Sequence, residues 1–208
     1  MEAEEHLKKV RNDLRKSEQK FREQAIHDNL TDLYNTRYLY KALTELIAQS
    51  KANKQSFSLI FMDIDNFKQV VDTHGHLNAS KTLQEVAATI KTALQEPSFG
   101  VAYGGDEFVL VLPGFDRQRG IDTAKKIRSL IKESVYLRKE GLNVQVSASM
   151  GVSTFPQDGK TQSELLALAD QAMFSVKERG KDSVCSISYE TGDKNGTEQT
   201  LFFYDCDK

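Results

Sequence analysis

The spacing of apolar residues divides the chain into an amphipathic start and a longer part in which strands and helices alternate. Residues 5–26 are rich in charge, contain neither Gly nor Pro, and carry apolar residues three or four positions apart. The positions of this stripe are Leu7, Val10, Leu14, Phe21 and Ala25, with Ser17 in the remaining one. The spacing is typical of heptads and predicts a short parallel coiled coil, which would make the protein a dimer. A single helix packed on the domain is the alternative.

After residue 26, short apolar runs alternate with longer runs of helical period. We predict strands at 56–63, 99–103, 108–113, 144–154 and 183–188. We predict helices at 36–49, 117–135 and 162–179, and one more that begins at Asn78 or Ser80 and ends near 94. The first strand is almost wholly apolar, which is typical of a strand buried on both faces. The order β-α-β-β-α-β-α-β predicts an α+β fold, with a largely antiparallel sheet covered by helices on one face.

The composition narrows the class of protein. A chain of 208 residues, 39% of them hydrophobic, suits one globular domain plus an extension. The net charge of −2 favours neither nucleic acid nor a membrane surface as a partner, and no apolar run is long enough to span a membrane. The start is polar rather than a signal peptide, and the two cysteines lack metal-binding spacing. We therefore expect reduced cysteines and a cytoplasmic protein, with a Cys185–Cys206 disulfide as the alternative.

Acidic residues stand at the ends of two predicted strands. Asp63 ends the first strand, and Asp106 lies in the segment 104–108 (Gly-Gly-Asp-Glu-Phe), which predicts a tight turn between two strands. Glycine in such a turn lets a ligand approach the backbone closely. If the first strand lies beside this hairpin, Asp63 and Asp106 face each other, and like charges so close require a cation between them. Mg²⁺ prefers a few carboxylates, waters and phosphate oxygens, so we expect a nucleoside triphosphate to complete the site. For Asp65, a solvated loop position is an equal alternative.

Cationic residues near these acids are candidates for phosphate binding. Lys68 lies in a predicted loop after the first strand, where neighbouring backbone N–H groups can form an anion-binding concavity. Lys177 and Lys181 close the last predicted helix. For these two residues, pairing with the negative end of the helix dipole is the alternative.

Several segments in the right order resemble the GGDEF domains, the diguanylate cyclases of bacterial second-messenger signalling. The matching segments are 28–35, 62–68, 75–76, 104–108, 149–153 and 169–177, and the resemblance covers residues 27–186. It implies a ferredoxin-like, palm-type central antiparallel sheet with surrounding helices. It also implies a homodimer in which each subunit presents one nucleoside triphosphate. Each 3′-hydroxyl would attack the other nucleotide's α-phosphate, and release of pyrophosphate would leave a cyclic dinucleotide.

The resemblance also implies a role for each matching position. The residues implied in binding Mg²⁺ (or Mn²⁺) are Asp63, Ile64 through its carbonyl, and Asp106. The residues implied in catalysis are Glu107, Asp106 and Asp63, with Glu107 assisting the metal site or deprotonation of the 3′-hydroxyl. The residues implied in holding phosphates are Phe67, Lys68, Lys177 and Lys181.

Two positions that would read the base depart from the family pattern. Val71 and Ser80 stand where the family usually has an Asn and an Asp that recognise guanine. A carboxylate only accepts hydrogen bonds, whereas a Ser hydroxyl donates or accepts and so serves both adenine and guanine. Each such contact decides roughly 1–3 kcal/mol of base discrimination. Ser80 resembles the hybrid promiscuous enzymes, which join ATP and GTP into 3′,3′-cyclic GMP-AMP and also make cyclic di-GMP; an inactive copy is the alternative.

Two further departures concern regulation and rate. Gln95 and Ser98 replace the Arg and Asp of the family's inhibitory Arg-x-x-Asp site, so we predict that this site is absent. Ala102 stands where the family often has Arg, and losing that cation predicts lower turnover.

We therefore expect a hybrid cyclase that uses GTP and ATP. A standard GTP-specific diguanylate cyclase and a non-catalytic GTP-binding module are the alternatives. The expected layout is a signalling coiled coil at 1–26, the cyclase domain at 27–188 and a tail of unassigned role at 189–208, with an added edge strand in the tail as a further possibility. An upstream sensory or receiver domain is expected because the chain begins within a helix.

Overall fold

The computed structural model describes residues 26–191 and 199–204, together with His6, Val10 and Arg11, which are helical. The predicted coiled coil at 1–26 therefore falls almost entirely outside the described residues. The helices are α1 (Thr36–Asn53), α2 (Phe67–Ala93), α3 (Arg117–Glu133) and α4 (Gln162–Glu178), with a short 3₁₀ helix at Arg138–Glu140. The strands are β1 (Phe57–Ile64), β2 (Phe99–Gly104), β3 (Glu107–Pro113), β4 (Ala148–Phe155), β5 (Val184–Thr191) and β6 (Gln199–Tyr204).

The strands form one sheet in the order β2-β3-β1-β4-β5-β6. Of the five strand pairs that the described residues form, four are antiparallel, and β4 pairs with β5 in parallel, so the sheet is mixed. Strand β1 lies inside the sheet, and all eight of its residues are buried, as its apolar sequence predicts. Strand β6 pairs with β5 and supplies the added edge strand considered for the tail.

Helices cover both faces of the sheet, and the prediction of one covered face is wrong. Helices α2 and α3 pack on the face that includes Ile60 and Met62. Helices α1 and α4 pack on the opposite face, which includes Leu59 and Phe61. Successive side chains of a strand point to opposite faces, so a strand that is apolar throughout requires an apolar layer on each side. A ligand site is consequently expected at an end of the strands.

Helix α2 begins earlier than predicted. It starts at Phe67, so Lys68 lies in the first helical turn rather than in a loop. The predicted start at Asn78 or Ser80 lies near the beginning of the second helical segment, which follows a break at Gly75. Gly75 interrupts the helix with a φ of 78°. The polar first segment and this glycine together have the sequence character of a loop, which explains the error.

Gly151 allows a helix to pack directly on a strand. A Cβ atom at Gly151 of β4 would lie 2.0 Å from the carbonyl oxygen of Ala169 in α4 and 2.4 Å from the backbone nitrogen of Met173. Helix α4 therefore lies directly on the backbone of β4. Its N-terminus is fixed by a capping box between Thr161 and Glu164. This contact fixes the position of Lys177, which lies in the last turn of α4.

The chain enters the domain through a tight turn at 26–35. Asn35 donates from its backbone to the Ile26 carbonyl (2.9 Å) and from its side chain to the His27 carbonyl (3.2 Å). Its side-chain oxygen also caps α1 by accepting from Tyr38 N. Next to it, Tyr34 donates to the Gly100 carbonyl in β2 (3.1 Å). The entry segment is thus bonded both to α1 and to the strand that leads into the Gly-Gly turn.

The state of Cys185 differs from the expectation of reduced cysteines. Cys185 is fully buried and disulfide-bonded, so the expectation of reduced cysteines is wrong at this position. The other cysteine in the sequence, Cys206, lies outside the described residues.

Across the described part of the chain, no helix has the length and apolar character that crossing a membrane requires.

Candidate functional site

The strand register brings the predicted acids to one end of β1. Asp63 lies opposite Glu107 of β3 on one side and opposite Ser149 of β4 on the other. Asp106 lies in the turn before β3, and its carbonyl accepts a hydrogen bond from Ile64 N (3.2 Å). The predicted strand neighbours are therefore correct, but the residue directly across from Asp63 is Glu107 rather than Asp106. The turn has only two residues, so Glu107 is already the first residue of β3.

The turn between β2 and β3 exposes its backbone. Gly105 adopts a φ of 59°, a conformation that L side chains rarely adopt. Gly104 does not have a positive φ, and a Cβ atom there would meet nothing within 4 Å, so neither backbone conformation nor packing explains a glycine at this position. The backbone thus favours glycine at 105, whereas at 104 the fold leaves open space beside the acids.

The acids at this end of β1 carry more negative charge than the surrounding protein neutralises. Burial is the main cause that raises the pKa of Asp63; the charge of Asp106 raises it further, and a hydrogen bond from Lys177 opposes the rise. Burial also raises the pKa of Glu107, and the charges of Asp63 and Asp170 add to it. Among the described residues, Lys177 alone forms an ion pair with Asp63, with 2.7 Å between Nζ and Oδ2. The site therefore favours a further positive charge.

The donor set fits a Mg²⁺ ion whose coordination is completed by a ligand. The described residues contain no group of three or more His, Cys, Asp or Glu side chains arranged to hold a metal ion. What they offer is a pair of carboxylates, Asp63 and Asp106, with the adjacent backbone carbonyl of Ile64. Mg²⁺ characteristically binds one or two carboxylates and takes its other ligands from water and substrate phosphates.

The predicted phosphate-binding residues surround the same end of β1. Lys177 reaches Asp63, and Lys181 donates from Nζ to Asn66 Oδ1 (2.5 Å). Lys68 is exposed in the first turn of α2, and Phe67 packs partly buried against the core. Asn66 precedes α2 without a side-chain capping bond, which leaves helix N–H groups available to an anion. The structure thus brings three lysines and one helix N-terminus to the acidic end of the sheet.

The two base-reading candidates lie on either side of the break at Gly75. Val71 is partly buried against the core cluster on the α2 side of the sheet. Ser80 is half-buried, and its hydroxyl has no hydrogen-bond partner among the described residues. A hydroxyl in this state is available to a ligand.

The segment at 95–98 lies apart from the acids. It forms a turn in which Ser98 N donates to the Gln95 carbonyl (2.8 Å), and it borders a cavity of about 510 Å³. Lys91 lines this cavity and is paired with Asp32 (2.7 Å). Ala102 pairs with Phe108 in the β2–β3 hairpin.

Asp65 is more closely surrounded by protein than its sequence context predicts. Its buried carboxylate accepts hydrogen bonds from the hydroxyls of Ser147 and Ser149, both at 2.6 Å, so it is not a solvated loop acid. The available signal was a pair of serines two residues apart, Ser147 just before β4 and Ser149 within it, because residues two apart in extended backbone point to the same side.

Comparison with known proteins agrees with this geometry. The family model described as "Diguanylate cyclase, GGDEF domain" matches residues 25–183. The chain is 33% identical over 181 residues to the bifunctional diguanylate cyclase/cyclic di-GMP phosphodiesterase MucR of Pseudomonas aeruginosa, covering 87% of this chain and 26% of that protein. It is 36% identical over 169 residues to an uncharacterized signaling protein of Caulobacter vibrioides, covering 80% and 21%. The chain thus spans about a quarter or less of the length of these two relatives.

A solved structure extends the similarity to three dimensions. Diguanylate cyclase SiaD of Pseudomonas aeruginosa, in complex with its activator SiaC, superposes with a TM-score of 0.76 at 31% identity. The match covers 86% of this chain and 68% of that one. Because the family model spans most of the sequence and the acids meet where the motif requires, the chain belongs to the GGDEF domain family.

Proposed function

We propose that this chain is a nucleotidyl cyclase that condenses two purine nucleoside triphosphates into a cyclic dinucleotide and releases pyrophosphate. The observation that carries the proposal is the under-neutralised group of acids at the end of β1, where Asp63 lies opposite Glu107 and beside the Asp106 turn. Such a site suits a divalent cation and a triphosphate together, because each supplies the charge that the other requires.

Each residue near the acids has a role consistent with its position. Mg²⁺ (or Mn²⁺) would be held by Asp63, the Ile64 carbonyl and Asp106, and when bound it neutralises phosphate charge. Glu107, whose pKa is raised, is suited to receive the proton of the attacking 3′-hydroxyl. The groups that would hold phosphates are Phe67, Lys68, Lys177 and Lys181. Lys177 already contacts Asp63, so phosphates bound there would share this cation with the carboxylate.

The reaction requires two sites that face each other. The described chain presents one acidic site, and two nucleotides must be oriented against each other for attack at each α-phosphate. A homodimer joined by the coiled coil predicted at 1–26 would supply that arrangement to the cyclase domain at 27–188. An upstream sensory or receiver domain agrees with the greater length of the relatives. Residues 189–208 have no proposed role beyond the added strand.

The base-reading positions favour a hybrid cyclase that joins ATP and GTP into 3′,3′-cyclic GMP-AMP and also makes cyclic di-GMP. Ser80 presents a hydroxyl with no partner among the described residues, and this group can accept from guanine or donate to adenine. Val71 offers no hydrogen bond to either base. A standard cyclase that makes only cyclic di-GMP is the second candidate, favoured by the activity named for relatives such as MucR.

Product analysis distinguishes these functions. The purified protein is incubated with Mg²⁺ and equal amounts of ATP and GTP, and the products are separated by chromatography. We expect the mixed dinucleotide together with cyclic di-GMP. Cyclic di-GMP alone would refute the hybrid activity and support the standard cyclase. Nucleotide binding without pyrophosphate release would refute catalysis and leave a GTP-binding module.

A substitution at Ser80 tests the source of selectivity. Ser80→Asp restores an acceptor-only group, and we expect the ratio of cyclic di-GMP to mixed product to rise about ten- to hundredfold. Ala88→Asp is the matched control, because it adds the same charge at an exposed position two turns further along α2. An equal shift in both variants would show that charge rather than base recognition is responsible.

A further inference from the structure

We propose that Asp65 is a positioning residue that holds Lys181 at the phosphate site through the backbone of the turn before β5. The proposal deepens the proposed function and rests on it. Asp65 is a buried acid with no role among the metal, phosphate and base contacts assigned above. Its partners connect three segments of the chain that meet at the acidic end of the sheet.

Both carboxylate oxygens of Asp65 are already engaged. Ser149 Oγ donates to Oδ1 (2.6 Å), and Ser147 Oγ donates to Oδ2 (2.6 Å). Asp182 N donates to Oδ2 as well (3.0 Å). Only 5% of the residue is exposed. The carboxylate therefore joins the end of β1 to the start of β4 and to the turn that precedes β5.

That turn has a backbone that needs support. Gly180, Lys181 and Asp182 are consecutive residues with positive φ, at 118°, 66° and 47°. Such angles are unfavourable for residues with side chains and persist where surrounding contacts fix them. Besides the bond to Asp65, the turn is held by Lys181 N, which donates to the Val176 carbonyl in α4 (3.0 Å). Arg128 donates to the carbonyl and carboxylate of Asp182 (2.7 and 2.8 Å), and Lys132 donates to the same carboxylate (2.6 Å).

The consequence of this support is the direction of the Lys181 side chain. Its ammonium group reaches Asn66 Oδ1, and Asn66 is the residue that follows Asp65 and precedes α2. Asp65 directly precedes Asn66 in the chain, and it accepts a hydrogen bond from the backbone of Asp182, which directly follows Lys181. It therefore adjoins both residues of the Lys181–Asn66 contact. Releasing the turn would let this cation leave the N-terminus of α2, where an incoming phosphate would need it.

The test is a thermodynamic cycle on nucleotide binding. Asp65→Asn keeps the side-chain shape but removes the charge and replaces an acceptor with a donor. Binding of α,β-methylene GTP, which cannot release pyrophosphate, is measured by calorimetry with Mg²⁺. We expect Asp65→Asn to raise Kd about tenfold in the unmodified protein, and to change it less than about twofold in the Lys181→Ala background. Equal losses in both backgrounds, or no loss in either, would overturn the proposal.

Two further measurements separate positioning from general damage. Asp158→Asn alters another buried carboxylate, and we expect it to lower stability without changing Kd. Hydrogen exchange of the Asp182 amide should become at least tenfold faster in Asp65→Asn without nucleotide, and unchanged exchange would refute the anchoring. If Asp65→Asn fails to fold, Ser147→Ala removes one of the bonds to Asp65 and is expected to weaken binding in the same direction. If the unmodified protein binds no nucleotide, the proposed function fails, and the exchange rate still shows whether Asp65 holds the turn.

Discussion

Asp63 and Asp158 are both buried aspartates, and they lie at opposite ends of the antiparallel pair formed by β1 and β4. Asp158 is neutralised within the protein, because it is paired with Arg117 and accepts a hydrogen bond from Thr154 N (2.7 Å). Among the described residues, Asp63 has one cation as a partner, Lys177, and it lies near the charges of Asp106 and Glu107.

The two environments show that a buried carboxylate can serve either the architecture of a protein or the binding of a ligand. A buried carboxylate with a complete set of partners stabilises a particular backbone arrangement, and losing one partner is costly. A buried carboxylate crowded by like charges destabilises the protein on its own and is retained where a ligand completes it. From this contrast we propose that Asp158 serves the architecture and Asp63 serves binding, and each of the following experiments can contradict that proposal.

The largest effect is expected at Asp63. Asp63→Asn should lower turnover by roughly 10³-fold, because it removes a charge that would hold the cation and stabilise the reacting phosphates. The measurement is the rate of pyrophosphate release with Mg²⁺ and GTP. The matched variant Asp158→Asn should keep turnover within about threefold once the folded fraction is taken into account. Similar losses of turnover in the two variants would remove the distinction.

For stability, we expect the loss of the Asp158 carboxylate to be more damaging than the loss of the Asp63 carboxylate. Asp158→Ala should lower the free energy of unfolding by about 3 kcal/mol, because it leaves Arg117 and the Thr154 amide without this partner. Urea unfolding monitored by circular dichroism measures the change. A loss below about 1 kcal/mol would show that Asp158 contributes less to the architecture than its contacts indicate.

The two glycines of the turn offer a smaller and sharper test. Gly105→Ala should cost about 1–2 kcal/mol of stability because the residue has positive φ, whereas Gly104→Ala should cost less than about 0.5 kcal/mol. If a nucleotide occupies the space beside Gly104, the same Gly104→Ala change should weaken nucleotide binding about tenfold. Thermal unfolding and calorimetric titration report the two quantities separately. Unchanged binding by Gly104→Ala would place the nucleotide elsewhere.

The smallest effect that we expect is on how the stability of the metal-free protein depends on pH. The raised pKa of Asp63 means that its carboxyl ionises at lower pH in the unfolded chain than in the folded protein. The stability of the metal-free protein should therefore fall as pH rises from the ordinary carboxyl range through the raised pKa, and the loss should persist above it. Asp63→Asn removes this loss, so its Tm should exceed that of the unmodified protein by about 2–4 °C at pH 7.5 and match it near pH 4. A constant difference across this range would show that ionisation of Asp63 is not responsible.

The sequence predicted the parts of the fold that depend on local pattern. The apolar run of β1, the hairpin around Gly105 and helix α4 all follow from spacing and turn chemistry. They bring Asp63 beside the hairpin, although Glu107 rather than Asp106 lies directly across from it. The beginning of α2 was missed because a polar segment with a central glycine is locally indistinguishable from a loop. The partners of Asp65 were missed because they come from residues 82 to 117 positions away, and only the folded sheet brings them together.

The turn through which the chain enters the domain has a mechanical consequence. Asn35 joins the entry point at Ile26 and His27 to the start of α1, and the adjacent Tyr34 is bonded to β2, the strand that leads into Gly104. These hydrogen bonds connect residue 26 to the sheet through a short series of fixed contacts. A rotation of the backbone at residue 26 would accordingly be passed to the start of α1 and to β2 through these hydrogen bonds.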